Sequence, residues 1–110
     1  MVTFKEYEYK RPNLDDIKNQ VRALIKQFKD ADSVETQSEV IEKINEYRND
    51  FSTQANLVYI RASINTHDEF YQKERDILDE LEPQFEELLF EYYQELVKSP
   101  YRSQLEEKWG

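Results

Sequence analysis

The near absence of turn-forming residues constrains this chain more than any other feature of its sequence. Its single glycine is the last residue, Gly110, and only three prolines occur among its 110 residues. Tight β-hairpins depend on glycine or an Asn-Gly pair, so a sheet of short strands is disfavoured. A chain of this length with few turns must consist of few, long elements. The sequence therefore predicts an all-α protein.

Composition and charge narrow the classes of function. A formal net charge of −9 disfavours nucleic acid as a partner, because binding phosphates requires a basic surface. No apolar run is long enough to span a membrane, and the first residues lack the pattern of a signal peptide. Without cysteine, the chain has no disulfide and no thiolate metal site. We expect one soluble domain with a cytoplasmic location.

Apolar residues recur at helical spacing along most of the chain. The periods divide residues 1–110 into an extended arm and four helices, with N-cap residues at Asn13 and Asp32-Ser33. The predicted architecture is a long antiparallel helical hairpin or bundle of three main helices plus a short C-terminal helix and the N-terminal arm. The predicted segments are 1–12 (arm), 13–31, 33–64, 67–98 and 100–109 (helices).

The stretch from Asn56 to Tyr71 forms the corner between the second and third helices. Thr66 and Glu69 have the spacing of a capping box, so the third helix is expected to start at Thr66 and to hold His67 in its first turn. Further along this helix, Pro83 lacks an amide donor and predicts a kink or a short break.

Three charged residues fall where the apolar periodicity predicts the helix interior: Arg48 and Arg61 in the second helix and Glu74 in the third. A buried guanidinium needs a paired carboxylate. We therefore predict an interhelical Arg–Glu network that fixes the register of the hairpin. The alternative is that one or both arginines reach the surface over their apolar stems. Gln37 also falls in the apolar seam of the second helix.

No catalytic or metal-binding motif is present. A zinc-protease helix needs a second histidine four residues after the first, and Tyr71 stands four residues after His67, the only histidine. Adjacent acidic pairs such as Glu86-Glu87 do not face each other on a helix and are typical of a solvated surface. We assign no catalytic residue, metal ligand or cofactor to this chain, and a metal-dependent enzyme centred on His67 ranks last among the hypotheses.

Most of the aromatic residues follow the helical stripes, so core packing explains them. A surplus remains near the C-terminal end, and it predicts an exposed face for another protein segment. The residues in this surplus are Tyr92, Tyr93, Tyr101 and Trp109.

Four stretches recur together in one family of proteins. They are Phe4-x-x-Tyr7-x-Tyr9-x-Arg11-Pro12, Ile44-Asn45-x-x-Arg48-Asn49-x-Phe51, Ile60-Arg61-x-x-Ile64-x-Thr66-x-Asp68-Glu69-Phe70-Tyr71, and Ser99-Pro100-Tyr101-Arg102-x-x-Leu105-Glu106-x-Lys108-Trp109-Gly110. With these stretches the chain resembles the N-terminal region of oligoendopeptidase F-type enzymes, zinc metallopeptidases related to thimet oligopeptidase. The resemblance spans essentially the whole sequence.

This resemblance implies a function that the residues alone do not indicate. Members of the family are longer, all-helical, cytoplasmic enzymes that hydrolyse short peptides inside a deep channel. Their zinc is held by a His-Glu-x-x-His helix and a further glutamate, and no position here matches these ligands. The resemblance therefore implies zinc and short peptides only for a full-length enzyme. It implies that this chain is a fragment, inactive alone, that forms part of the channel wall against the remainder of the peptidase.

The runner-up hypothesis applies if the chain functions alone. A free-standing, acidic helical chain then fits a protein-interaction module, including a homodimer, that uses the face which the rest of a peptidase would otherwise cover.

Overall fold

In the computed structural model, which describes residues 8–109, the chain forms four helices joined by short connections. The three long helices pack against one another, and the short fourth helix packs on the second and third. The described residues contain no strand, and the all-α architecture is confirmed. The helices are α1 (Leu14–Asp30), α2 (Val34–Ile64), α3 (Glu69–Lys98) and α4 (Arg102–Trp109).

The starts of α1 and α2 follow from their capping residues. The Asn13 side chain accepts a hydrogen bond from the amide of Asp16, and the Ser33 hydroxyl accepts one from the amide of Thr36. Each bond satisfies one of the amides that a helix start leaves without an internal partner. Both N-caps predicted from the sequence are confirmed. No helix among residues 8–109 is both long and apolar enough to cross a membrane.

The core fills the space between the three long helices. Phe28 of α1, Ile44 of α2, and Leu78 and Leu88 of α3 have almost no exposed surface. The rings of Phe51 and Phe85 stack across α2 and α3 with their centroids 4.4 Å apart. Burying a side chain of this size contributes about 1.5–3 kcal/mol. This packing, rather than helix propensity, holds helices of about 30 residues in place.

The corner between α2 and α3 differs from the predicted capping box. The N-cap is Asp68, whose carboxylate accepts hydrogen bonds from the amides of Phe70 at 3.0 Å and Tyr71 at 3.3 Å. The Asn65 side chain accepts from the amide of His67, which places His67 in the turn before α3. The prediction that Thr66 starts the helix is therefore wrong. A carboxylate is the stronger acceptor at a helix N-terminus, where the helix dipole favours negative charge.

Mutation can distinguish the two candidates for the N-cap of α3, Thr66 and Asp68. Asp68→Ala should lower the free energy of unfolding by about 1 kcal/mol, because it removes the acceptor of two amides. Thr66→Ala should change it by less than about 0.5 kcal/mol, as at other exposed sites. Urea denaturation of both variants measures the difference. A larger loss from Thr66→Ala would contradict this assignment.

Of the two outcomes predicted for Pro83, a break does not occur, because α3 runs without interruption from Glu69 to Lys98. Pro83 and Asp79 are both exposed. Proline has no amide hydrogen, so the carbonyl of Asp79 lacks the helical donor that another residue at position 83 would supply. Leu78 and Phe85 anchor α3 in the core on either side of the proline.

Candidate functional site

The N-terminal arm is fastened to α3 by one buried carboxylate. Glu74 has a side chain only 2% exposed, and three donors of the arm point at it. The guanidinium of Arg11 donates from Nε to Oε1 at 2.9 Å and from Nη2 to Oε2 at 2.5 Å. The hydroxyl of Tyr9 donates to Oε1 at 3.0 Å. This fork is the geometry in which arginine binds a carboxylate most specifically.

The electrostatics follow from these contacts. Hydrogen bonding from Arg11 lowers the pKa of the Glu74 carboxyl below its ordinary value, against the opposing effect of burial. Burial raises the pKa of the Tyr9 hydroxyl, and its hydrogen bond to Glu74 raises it further. The amide of Lys10 donates to the side chain of Gln54 at 2.9 Å, so the arm is tied to α2 as well. The arm therefore lies across α2 and α3.

The contribution of this ion pair to stability should depend on pH. The pKa of Glu74 is lowered by folding, so its contribution is complete above the ordinary value of 4.5 and is lost as the pH falls through the lower, folded-state value. The stability difference between wild type and Glu74→Gln should be constant from pH 7 to about pH 5 and should shrink below about pH 4.5. Urea denaturation across this range measures it. A difference that stays unchanged down to about pH 3 would contradict the assigned role.

The three residues of the predicted network are placed apart. Among the ion pairs of residues 8–109, Glu74 is paired with Arg11 and not with Arg48 or Arg61. Arg61 is half-buried, donates to the Tyr71 hydroxyl at 2.8 Å, and lies 5.5 Å from the centre of that ring. Arg48 is exposed. The two arginines are 13 positions apart, about 20 Å along α2, so they do not reach the same carboxylate.

A second polar contact, centred on Gln37, joins the opposite end of the bundle. Gln37 is 2% exposed, its amide donates to the carbonyl of Phe28 at 3.0 Å, and its oxygen accepts from the Ser99 hydroxyl at 2.5 Å. Ser99 in turn accepts from the amide of Tyr101. One side chain of α2 thereby connects the end of α1 to the turn between α3 and α4. The fourth helix starts after this turn, at Arg102 rather than at the predicted position 100.

A cavity of about 280 Å³ lies where α2, α3 and α4 meet. Its wall is mainly apolar and includes two arginines, Arg48 and Arg102. Burial raises the pKa of Tyr92 in this wall to about 12, with a further increase from Tyr93 and an opposing effect of Arg48. The lining residues are Ile41, Asn45, Arg48, Tyr92, Leu96, Val97, Arg102, Leu105 and Glu106.

Beside this cavity, α3 exposes a stripe of apolar side chains. Phe90 is 61%, Tyr93 37% and Val97 57% exposed. The predicted aromatic face near the C-terminal end is thus present only in part. Tyr93 belongs to the stripe, whereas Tyr92 is buried in the core and Tyr101 donates its hydroxyl to the carbonyl of Asp32. The side chain of Trp109 lies outside the described residues.

Residues 8–109 hold no group of three or more His, Asp or Glu side chains placed to bind a metal ion. His67 is exposed in the turn before α3. These residues therefore supply no group of ligands for the zinc that the family resemblance implies for a full-length enzyme.

The model of the peptidase M3 N-terminal domain matches residues 4–110 of the sequence. The chain belongs to this family. For this M3 N-terminal domain, a search of curated proteins found no match. Solved structures do match. The chain is 47% identical to PZ peptidase A, a structure with an inhibitor, over 98% of this chain and 19% of that one, with a TM-score of 0.95.

Two further solved structures give the same result. A Bacillus anthracis strain Ames protein assigned as an oligoendopeptidase F is 44% identical, with a TM-score of 0.96, over 100% of this chain and 20% of that one. Another protein assigned as an oligoendopeptidase F is 42% identical, with a TM-score of 0.95, over 100% of this chain and 20% of that one. The resemblance to oligoendopeptidase F-type enzymes is confirmed, and the M3 N-terminal domain spans about a fifth of the chains that it matches.

Proposed function

We propose that this M3 N-terminal domain forms part of the substrate-channel wall of an oligoendopeptidase and supplies none of its catalytic residues. The observation that carries the proposal is the match over the whole chain, at 42–47% identity, to a fifth of each longer peptidase. Such identity with TM-scores of at least 0.95 supports the same structural role in the same kind of enzyme.

The internal contacts suit a wall rather than a reaction centre. The Arg11–Glu74 pair fastens the arm at one end and Gln37 connects three elements at the other. The Glu74 carboxylate and the Gln37 amide both form hydrogen bonds within the bundle, and neither residue lines the cavity between α2, α3 and α4. A rigid bundle of long helices limits what can enter a channel by its shape. Zinc and the groups that hydrolyse peptides would then come from other parts of a full-length enzyme.

We also infer a cytoplasmic location and short peptides as the substrates of the full-length enzyme. Both follow from the resemblance to cytoplasmic oligopeptidases and both rest on the proposed role.

A paired assay tests the proposal. The isolated chain is incubated with a quenched fluorescent peptide, with and without a zinc chelator. In parallel, residues 1–110 replace the corresponding fifth of the Bacillus anthracis relative, and this chimera is assayed on the same peptide. We expect hydrolysis by the chimera and none by the isolated chain. Chelator-sensitive turnover by the isolated chain, or a folded chimera without activity, would contradict the proposal.

The exposed stripe of α3 favours a second candidate, a free-standing interaction module that pairs with itself. Phe90, Tyr93 and Val97 would be covered in such a homodimer. Sedimentation of the isolated chain over a range of concentrations distinguishes the two candidates. A stable dimer supports the interaction module, whereas a monomer supports the wall of a peptidase.

A further inference from the structure

One side of α3 exposes a row of apolar side chains. Phe90, Tyr93 and Val97 follow one another at spacings of three and four, which places them along one line of the helix about 10 Å long. Val97 also lines the cavity between α2, α3 and α4, so the stripe and the cavity are continuous. We call this surface the docking face. Single exposed apolar residues are ordinary, but a stripe that runs into an apolar cavity indicates a binding surface.

Arg48 gives the docking face its charge. It lines the cavity, is exposed, and forms no hydrogen bond or ion pair with any part of the chain that the structure describes. The other arginine of the cavity, Arg102, already donates to Glu106 at 2.8 Å. A guanidinium without a partner beside an apolar cavity is suited to bind a carboxylate from another segment.

We propose that the docking face receives the remainder of an oligoendopeptidase, through a segment that inserts an apolar side chain into the cavity and places an Asp or Glu carboxylate against Arg48. The inference rests on the proposed function and names the contact that the function requires. This chain covers 19–20% of the solved peptidases that it matches, so about four-fifths of each lies beyond the matching region. That remainder is the nearest source of a covering segment.

Charge argues against a second copy of this chain as the occupant. Each copy carries a formal net charge of −9, so two copies repel each other.

The chimera with the Bacillus anthracis relative tests the docking face directly. Val97→Asp places a charge in the proposed contact, and Arg48→Glu reverses the proposed attraction. Two matched controls lie elsewhere: Ile64→Asp at an apolar side chain that is 76% exposed, and Arg75→Glu at an exposed arginine of α3. Each substitution is made both in the chimera and in the isolated chain, and thermal unfolding and peptide hydrolysis are measured.

We expect Val97→Asp and Arg48→Glu to lower the Tm of the chimera by more than about 5 °C relative to their effect on the isolated chain, because the charge is buried or opposed only in the chimera. Ile64→Asp and Arg75→Glu should shift both proteins equally. The proposal would be overturned if each of the four substitutions changed the Tm of the chimera and of the isolated chain by the same amount. It would also be overturned if the two controls lowered the Tm of the chimera, relative to the isolated chain, more than Val97→Asp and Arg48→Glu do. A dimer of the isolated chain that Val97→Asp abolishes would overturn it as well. A folded wild-type chimera that does not hydrolyse the peptide would instead contradict the proposed function, and this inference with it.

Discussion

Replacing Glu74 with alanine should lower the free energy of unfolding by about 2–3 kcal/mol at neutral pH. The carboxylate occupies a buried position on α3 and accepts three hydrogen bonds from the arm. Without it, the Tyr9 hydroxyl loses its acceptor and the space left by the side chain is unfilled. The side chain of Arg11 is 54% exposed, so its guanidinium can regain water, which keeps the loss below that of a fully buried pair. Urea denaturation measures the effect.

The matched control is Glu87→Ala, at an exposed glutamate of the same helix, where the change should stay within about 0.5 kcal/mol. Arg11→Met should also destabilise the chain, because it leaves the Glu74 carboxylate buried with only Tyr9 as a donor. The double variant Glu74→Ala with Arg11→Met should be less destabilised than the sum of the two single variants. Strict additivity would show that the ion pair does not couple the arm to α3.

The partner of Glu74 could not be derived from helical periodicity. Periodicity reports which side of a helix faces the core, and it correctly indicated that Glu74 is buried. Arg11 lies in a segment that is neither helix nor strand, so no repeating pattern indicates where its side chain points. The path of the arm over α2 and α3 is a tertiary property. In the sequence, Arg11 stood out only as part of the family motif Phe4-x-x-Tyr7-x-Tyr9-x-Arg11-Pro12.

Local competition explains the error at the corner. Thr66 and Asp68 are both acceptable N-caps and lie two residues apart, so sequence rules favoured the one with the capping-box spacing. The outcome depends on the turn that Asn65 makes with the amide of His67, which positions Asp68 at the helix end. Preferences of about 1 kcal/mol are easily reversed by such contacts.

The long helices were predictable because their signal is repeated along the chain and does not depend on one local contact. Each apolar stripe repeats over many turns, so an error at one residue does not change the helix as a whole. The start of α1 is set by the side-chain cap of Asn13 and that of α2 by the side-chain cap of Ser33. The exposed stripe on α3 could not be separated from the core stripe, since both are apolar. Only packing shows that Phe90 and Val97 are left uncovered.

The sequence did signal Gln37, a polar residue in the apolar seam of α2, but it did not identify the partners. Gln37→Leu should lower the free energy of unfolding by about 2–3 kcal/mol. The Ser99 hydroxyl would lose its acceptor, and the carbonyl of Phe28 would lose the donor that Gln37 supplies, both in a buried site. Leucine is compatible with the apolar surroundings, so a loss of stability in this variant can be assigned to the missing hydrogen bonds. Urea denaturation measures it.

Ser99→Ala supplies the control for the Gln37 contact. It removes the donor to Gln37 and the acceptor of the Tyr101 amide, and it should cost about 1–2 kcal/mol on its own. In the double variant Gln37→Leu with Ser99→Ala, the two buried groups that bonded each other are both gone, so the total loss should fall below the sum of the single losses. Additive losses, or a Gln37→Leu variant as stable as wild type, would mean that packing alone holds α4 to the bundle. A sub-additive cycle would instead identify this contact as the one that fixes the turn between α3 and α4, and with it the cavity wall to which Leu105 belongs.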